Sequence, residues 1–112
     1  MKVNILGTEY EILTKSAEEE PYLKKCDGFC DRSMKKIVIG KFEPDPDGST
    51  VDLEWYRRKV LRHEIVHAFL HESGLEENSL EVEIWARNEE MVDWIAIQFP
   101  KILKAFQDAD SM

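Results

Sequence analysis

Residues 63–71 read HEIVHAFLH, and the helix that this stretch predicts determines the expected fold. Helix positions four residues apart lie one above the other, so the three histidines would share one face. At about 100° per residue, that face gathers Tyr56, Val60, His63, Glu64, His67, Leu70 and His71. A second face is apolar and consists of Leu61, Ile65, Ala68 and Phe69. Apolar residues on two sides are typical of a core helix, so we expect this helix to be buried.

The helix has signals at both of its ends. Ser49, Thr50 or Asp52 can cap its first turn, because short polar side chains accept hydrogen bonds from the free N–H groups there. We expect the helix to end near Ser73, since Gly74 can adopt the left-handed conformation that terminates many helices.

The residues before this helix have the alternating pattern of β-strands. Residues 3–5 and 10–12 lie on either side of Gly7 and Thr8 and predict a first hairpin. Residues 29–39 predict a strand, a turn and a second strand. The PDPDG segment that follows predicts a break in regular structure.

A second helix is predicted after the first. Asn78 and Glu81 resemble a capping box that opens a helix over residues 79–99, and Pro100 predicts a break or the first turn of a terminal helix. The most apolar stripe of this helix consists of Val82, Trp85, Ala86, Val92 and Ala96. Glu89 and Asp93 lie at the centre of the stripe, one helical turn apart. Carboxylates that face a core are costly unless they are paired or bind a metal ion, so both are candidate functional residues.

The composition predicts one ordinary globular domain. The 112 residues are 43% hydrophobic and 34% charged, which fits one modest core and excludes a disordered chain. The formal net charge of -8 disfavours binding to nucleic acid, because phosphate backbones attract basic surfaces. The sequence predicts neither a signal region nor a membrane-spanning run, so we expect a cytoplasmic protein. Cys26 and Cys30 fit that compartment as free thiols, and we interpret them as structural or inert.

The HExxH spacing also predicts a metal site. His63 and His67 can reach a single ion, and Glu64 would then lie beside an open coordination position. A catalytic zinc ion usually takes a third protein ligand. His71 is too far along the axis, because a helical turn rises about 5.4 Å whereas zinc–nitrogen bonds are about 2.0–2.1 Å. We therefore expect His71 to line the cleft or to form a hydrogen bond, and Glu89 to be the third ligand.

The segments HEIVH at 63–67 and NEEMVD at 88–93 resemble the gluzincin metallopeptidases. Those proteins have HExxH on one helix and a glutamate ligand in an NExxxD-like segment on the next. HEIVHAFLH is also similar to the ImmA/IrrE-like peptidases, and the chain length resembles that of minimal single-domain gluzincins. The resemblance implies an α+β, zincin-like fold as a single domain over residues 1–112. In that fold a small twisted sheet packs on the HExxH helix, and the glutamate helix lies behind it.

The resemblance also implies roles for individual residues. One catalytic zinc ion would be held by His63, His67 and Glu89, with Glu64 as the catalytic glutamate. Asp93, one turn beyond Glu89, would accept a hydrogen bond from a ligating histidine and so fix the orientation of its ring. An edge strand above the metal ion would bind the substrate as an added β-strand. The residues predicted for that strand are Lys36, Ile37, Val38, Ile39 and Gly40.

These features predict an endopeptidase that hydrolyses peptide bonds with the help of zinc. Glu64 would accept a proton from the attacking water and pass it to the leaving amine. A side chain in the cleft normally stabilises the oxyanion, and the candidates are Tyr56, His71 and Arg87. Because unrestrained proteolysis in the cytoplasm is hazardous, we expect latency or a narrow set of intracellular protein or peptide targets.

Two other interpretations of the motif remain open. A catalytically silent or latent zincin-fold protein could regulate a partner, such as a repressor, by binding it. A structural zinc protein would instead need a fourth ligand, which only His71, Cys26 or Cys30 could supply. Neither nucleic acid nor a membrane is an expected partner, and the sequence does not predict the oligomeric state.

Overall fold

The computed structural model describes residues 1–44, 46–48 and 52–112 and is of the α+β class. Its four strands and two long helices are β1 (Lys2–Ile5), β2 (Thr8–Lys15), β3 (Gly28–Asp31), β4 (Lys36–Gly40), α1 (Leu53–Glu72) and α2 (Glu89–Asp108). Three short 3₁₀ helices connect them, at Pro21–Lys24, Glu77–Val82 and Trp85–Arg87. Among the described residues, no helix combines the length and the apolar content that crossing a bilayer requires.

The four strands form one mixed sheet in the order β1-β2-β4-β3. The β1–β2 and β3–β4 pairs are antiparallel, so both hairpins predicted from the sequence are confirmed. Leu6 and Gly7 connect the first pair and have φ angles of 52° and 91°, which suit the tight turn of a two-residue hairpin. β2 and β4 are parallel, and this pairing joins the two hairpins into one sheet.

The prediction that Lys36–Gly40 is an edge strand is wrong. β4 pairs with β2 on one side and with β3 on the other, so it is an inner strand of the sheet. Ile37, Val38 and Ile39 are 0%, 4% and 1% exposed, as expected of a strand that has a neighbouring strand on each side. The edge strand next to β4 is β3 (Gly28–Asp31).

The core lies between the sheet and α1. Its buried residues are Ile5, Tyr10, Ile12, Ile37, Ile39, Val60 and Ala68. β3 approaches α1 closely at Gly28, where an added Cβ would lie 2.9 Å from the Val38 carbonyl oxygen and 3.1 Å from Val60 Cγ1. A glycine is therefore needed at this position to bring the edge strand against the helix.

The predicted limits of α1 are confirmed. The Asp52 side chain accepts a hydrogen bond from Trp55 N at 2.9 Å and caps the helix, while Ser49 and Thr50 lie outside the described residues. Glu72 is the last helical residue, and Gly74 follows with a φ of 82°. The helix is buried less evenly than predicted, since Val60, Glu64, His67 and Ala68 are buried whereas Phe69 is exposed.

The last residue of α1 anchors the helix to the sheet. Glu72 accepts hydrogen bonds from Lys35 Nζ at 2.6 Å, Tyr10 Oη at 2.7 Å and Thr8 Oγ1 at 3.2 Å. The Lys35 and Tyr10 bonds lower the pKa of Glu72 to about 2. The contribution of Glu72 to stability is therefore complete above its ordinary pKa of 4.5 and is lost as the pH falls towards 2.

Glu72→Gln should lower the free energy of unfolding at pH 7 by about 2 kcal/mol, because the bonds to a charged acceptor are weakened. Urea unfolding at pH 7 and at pH 3 would measure this, and the difference from wild type should shrink at the lower pH. Glu9→Gln is the control, since the Glu9–Lys2 pair is exposed and contributes little. A Glu72→Gln difference that is equal at both pH values would contradict the prediction.

The prediction of a helix over residues 79–99 is wrong at both ends. α2 begins only at Glu89, because Glu83 and Ile84 both have left-handed backbone angles that an α-helix cannot contain. Asn78 Nδ2 donates to the Gly74 carbonyl oxygen, and the residue that caps α2 is Asn88, whose side chain accepts from Met91 N at 2.8 Å.

α2 also continues through Pro100 to Asp108, where a break or a new helix was predicted. Proline has no N–H to donate to the carbonyl four residues earlier, which belongs to Ala96. Arg62 of α1 supplies the missing donor, because its Nε lies 2.6 Å from the Ala96 oxygen. The same bond ties α1 to α2.

Arg62→Met should lower the free energy of unfolding by about 1–3 kcal/mol, since it leaves the Ala96 carbonyl without a donor. The loss should be smaller in a Pro100→Ala background, where residue 100 regains an N–H that can donate to Ala96. Urea unfolding of both single variants and the double variant measures this coupling, with Arg58→Met as an exposed control. Strictly additive losses would show that the Arg62 bond does not compensate for the proline.

Candidate metal centre

Three predicted ligands converge where α1 meets the start of α2. The ligand atoms of His63, His67 and Glu89 all lie within 4.8 Å of one another, so the group could hold a metal ion. His63 Nε2 lies 3.0 Å from Glu89 Oε2, and His67 Nε2 lies 2.9 Å from Glu89 Oε1. The same nitrogen of each imidazole therefore faces the same carboxylate. This is the arrangement expected when two histidines and a glutamate share one ion.

The Glu89 side chain lies at the surface of the protein and not in its core. Its side chain is 71% exposed, so the prediction that it lies on a core-facing stripe is wrong. Glu89 is the first residue of α2, directly after the capping residue Asn88, and its carboxylate extends across to α1. The Asn88 cap fixes the start of α2 at Glu89, and the packing of α2 against α1 brings the Glu89 carboxylate to the histidines.

Asp93 lies against one of the histidines, as expected from its place one turn along α2. Its Oδ1 is 3.2 Å from His63 Nδ1 and also 3.2 Å from Lys59 Nζ. Burial opposes ionisation of Asp93, but hydrogen bonds with Lys59 and His63 outweigh it and lower its pKa. A proton donated from His63 Nδ1 to Asp93 leaves the lone pair of Nε2 directed at the metal position. Within the described ranges, the buried Nδ1 of His67 has no such partner.

Asp93→Asn should weaken zinc binding by about 10–100-fold, because the amide is a poorer acceptor for the His63 ring proton. Competition with a zinc-binding dye would measure the dissociation constant. Lys59→Met is the matched control, since it removes the other partner of the same Asp93 oxygen. Equal zinc affinities for Asp93→Asn and wild type would show that Asp93 does not support the ligand.

Glu64 is a buried carboxyl group at the same place. It is 6% exposed, and its Oε1 lies 4.0 Å from His63 Nε2. Burial raises the pKa of Glu64 to about 7, with His63 and Glu89 acting in opposite directions. Burial is also the main reason why the pKa of His67 is lowered, which favours the neutral imidazole that metal ions bind.

A cleft lies in front of these residues. It comprises two adjoining cavities of about 330 and 170 Å³, which share Cys26, Gly28, Glu64 and Glu89. β3 forms one side, through Gly28, Phe29 and Cys30. The strand beside the metal centre is thus β3, which the sequence analysis did not single out.

The two cysteines lie in this cleft, which their sequence positions did not reveal. Both are free thiols and both are partly buried. Burial raises the pKa of Cys30 to about 12 and also raises that of Cys26, so both sulfurs are protonated at neutral pH. Neither belongs to the group of metal-ligand atoms among the described residues.

Tyr56, His71 and Arg87, the candidates for contact with an oxyanion, do not line the described cavities at the metal centre. The Tyr56 hydroxyl donates to Asp27 Oδ2. Arg87 Nη2 lies 2.9 Å from Glu76 Oε1, and His71 Nδ1 lies 3.9 Å from the same oxygen. The cleft contains a different cation, Arg32, which the sequence analysis missed because it lies 32 residues before Glu64.

Comparison with models of protein families, with curated proteins and with solved structures yields no match to this chain. Arguments about its function therefore depend on the sequence motif and on the geometry of this centre.

Proposed function

We propose that this protein is a zinc-dependent endopeptidase that hydrolyses peptide bonds in a narrow set of intracellular protein targets. The observation that carries the proposal is the convergence of two imidazole nitrogens and a carboxylate beside the buried Glu64 in an open cleft. The packing of the sheet on α1, followed by the helix that carries Glu89, supports a zincin-like arrangement.

The donor set supports zinc as the ion. Two histidines and one glutamate are the protein ligands of many catalytic zinc sites, which leave a position for water or substrate. A closed structural site would need a fourth protein ligand. His71, Cys26 and Cys30 are all outside the ligand group in the described part of the chain, which favours an open site.

The residues of the chain have distinct roles in this proposal. A zinc ion held by His63, His67 and Glu89 would supply Lewis acidity and make water more acidic. Glu64 accepts a proton from the attacking water and donates it to the leaving amine nitrogen. Asp93 holds the His63 ring in the orientation that keeps Nε2 available, so it is a positioning residue.

The edge strand β3 provides a way to hold the substrate. A strand at the edge of a sheet has unpaired N–H and C=O groups that an extended peptide can bind as an added strand. Gly28–Asp31 takes the role that the sequence analysis gave to Lys36–Gly40, because β3 borders the cleft and β4 is enclosed.

A comparison of protein termini tests the proposal in cells. Cells that produce wild-type protein should contain new N-termini that are absent from cells producing Glu64→Gln at the same level. Glu90→Gln is the control, since Glu90 is adjacent to the ligand Glu89 but outside the cleft, and it should give the wild-type termini. If the wild-type protein contains zinc but its cells show no N-termini that are absent from the Glu64→Gln cells, the proposed peptidase activity is wrong.

A further inference from the structure

Arg32 is a cation in the cleft that has no role in the proposed mechanism. It follows β3 and lines the cavity of about 330 Å³ together with Glu64, His67 and Glu89. It is the one Lys or Arg among the described residues that line this cavity. Its side chain is 29% exposed, so its charge is partly withdrawn from water and interacts more strongly with nearby charged groups.

A buried carboxylate holds the Arg32 side chain in place. Glu76, which is 1% exposed, accepts a hydrogen bond from Arg32 Nε at 3.1 Å through its Oε2. Its Oε1 lies 2.9 Å from Arg87 Nη2. The Glu76 carboxylate thus contacts the guanidinium groups of both Arg32 and Arg87. These three side chains together have a net positive charge.

The terminal nitrogens of Arg32 remain available for a ligand. Arginine has five N–H donors, and in the described part of the chain the one hydrogen bond of Arg32 is from Nε. The adjacent Asp31 does not compete for them through Oδ1, which accepts from Ser33 N, Ser33 Oγ and Met34 N in the turn. The remaining donors form a planar fork that matches the two oxygens of a carboxylate.

The cleft extends past Arg32 along the edge strand. A further cavity of about 510 Å³ shares Tyr22, Phe29, Cys30 and Arg32 with the cavity at the metal centre. Tyr22 and Phe29 pack edge to face there, with ring centroids 5.1 Å apart. Arg32 therefore lies between the metal centre and an open depression along β3, which is lined by the aromatic Tyr22 and Phe29 and also by Glu20 and Asp31.

We propose that Arg32 binds a carboxylate of the bound peptide, either an acidic side chain or a C-terminal carboxylate, in a subsite beside the metal centre. Glu76 is the positioning residue that orients the guanidinium. This inference rests on the proposed peptidase function. It identifies the substrates as peptides with an acidic side chain close to the cleaved bond or, if the terminal carboxylate is bound, as peptides cleaved near their C-terminus.

Peptide binding to the Glu64→Gln protein tests the subsite without requiring cleavage. The probes are pairs of fluorescein-labelled octapeptides. The two members of a pair differ at one position, which is Glu in one peptide and Gln in the other. Each peptide is made both as the C-terminal amide and as the free acid. Anisotropy gives the dissociation constants with zinc and without it. We expect the Glu peptide to bind more tightly than the Gln peptide at one position, or the free acid to bind more tightly than the amide. The dissociation constants should differ by about 10–100-fold, the range of one charge-assisted hydrogen bond. A Glu/Gln preference identifies a side-chain carboxylate, and an acid/amide preference identifies a terminal one.

Arg32→Met should abolish this preference and leave the affinity for the neutral peptides unchanged. Arg32→Gln is a second variant, which can still donate to Glu76 but has no charge. Arg87→Met is the matched control, because it removes the other cation on Glu76 and does not line the cavity, so it should retain the preference. An equal loss of affinity for charged and neutral peptides in both Arg32 variants would overturn the proposal.

Failure of the subsite can be distinguished from failure of the peptidase function. If Glu64-dependent cleavage occurs with no preference for a carboxylate, the subsite is wrong and the peptidase proposal stands. If the preference exists and disappears with Arg32, while wild type cleaves no peptide, the subsite stands and the peptidase proposal is wrong.

Discussion

Glu64→Gln is expected to lower kcat/KM for peptide cleavage by about 100- to 10,000-fold, the range that a general base contributes. The glutamine has nearly the same shape but cannot accept a proton from the attacking water. Glu64 is buried beside the histidines and is not one of the grouped ligand atoms, so the variant should keep its zinc. The expected result is therefore loss of activity at unchanged metal content.

Steady-state kinetics on a peptide taken from a cleaved target would measure the effect, and elemental analysis would measure the zinc. Glu90→Gln removes the same charge from the exposed side of α2 and should keep both the wild-type rate and the wild-type zinc content. A Glu64→Gln protein that cleaves at the wild-type rate would exclude Glu64 as the base. Loss of zinc from this variant would instead place Glu64 among the ligands.

Zinc should raise the thermal stability of the wild-type protein substantially, and Glu89→Gln should remove much of that increase. At a free zinc concentration of about 1,000 times the dissociation constant, binding stabilises the folded state by about 4 kcal/mol. For a domain of this size that corresponds to a rise in Tm of roughly 15 °C. Each tenfold loss of affinity in the variant removes about 1.4 kcal/mol of the increase.

Differential scanning calorimetry with zinc and with a chelator would measure the increase for each variant. Glu90→Gln is a closely matched control, because both glutamates lie in the first turn of α2 and interact similarly with the helix dipole. Glu89 is largely exposed, so the chelated forms of the two variants should melt at similar temperatures. Equal zinc-dependent increases in both would show that Glu89 is not a ligand.

Several features of the fold and of the candidate site depend on neighbouring residues and could be predicted from the sequence. HExxH lies on one helix, so the four-residue spacing alone was enough to place His63 and His67 on one face. The ends of α1 at Asp52 and Gly74, and the two hairpins, also follow from neighbouring residues. The position of Asp93 also follows from local spacing, because Asp93 lies one helical turn after Glu89 and is therefore beside His63 when Glu89 faces the histidines.

The start of α2 shows where local patterns fail. The capping box at Asn78 and Glu81 suggested a helix ten residues too early, because periodicity does not reveal that Glu83 and Ile84 adopt left-handed angles. Pro100 suggested a break, yet the helix continues, since Arg62 of α1 supplies a donor to the Ala96 carbonyl that lacks its helical partner. At Pro100, a tertiary interaction thus overrides a local preference.

The sequence by itself determined the residues of the candidate metal centre: two histidines and a glutamate on one helix, with a second glutamate and an aspartate at helical spacing on the next. Only the tertiary structure decided which strand borders that centre. The local sequence pattern of an apolar strand is much the same whether the strand lies inside a sheet or at its edge. The parallel pairing of β2 with β4 makes Lys36–Gly40 an inner strand and leaves β3 as the edge strand at the cleft. The contact of Arg32 with Glu76 likewise joins residues 44 positions apart. No periodicity connects positions at such distances, because packing of the whole chain brings them together.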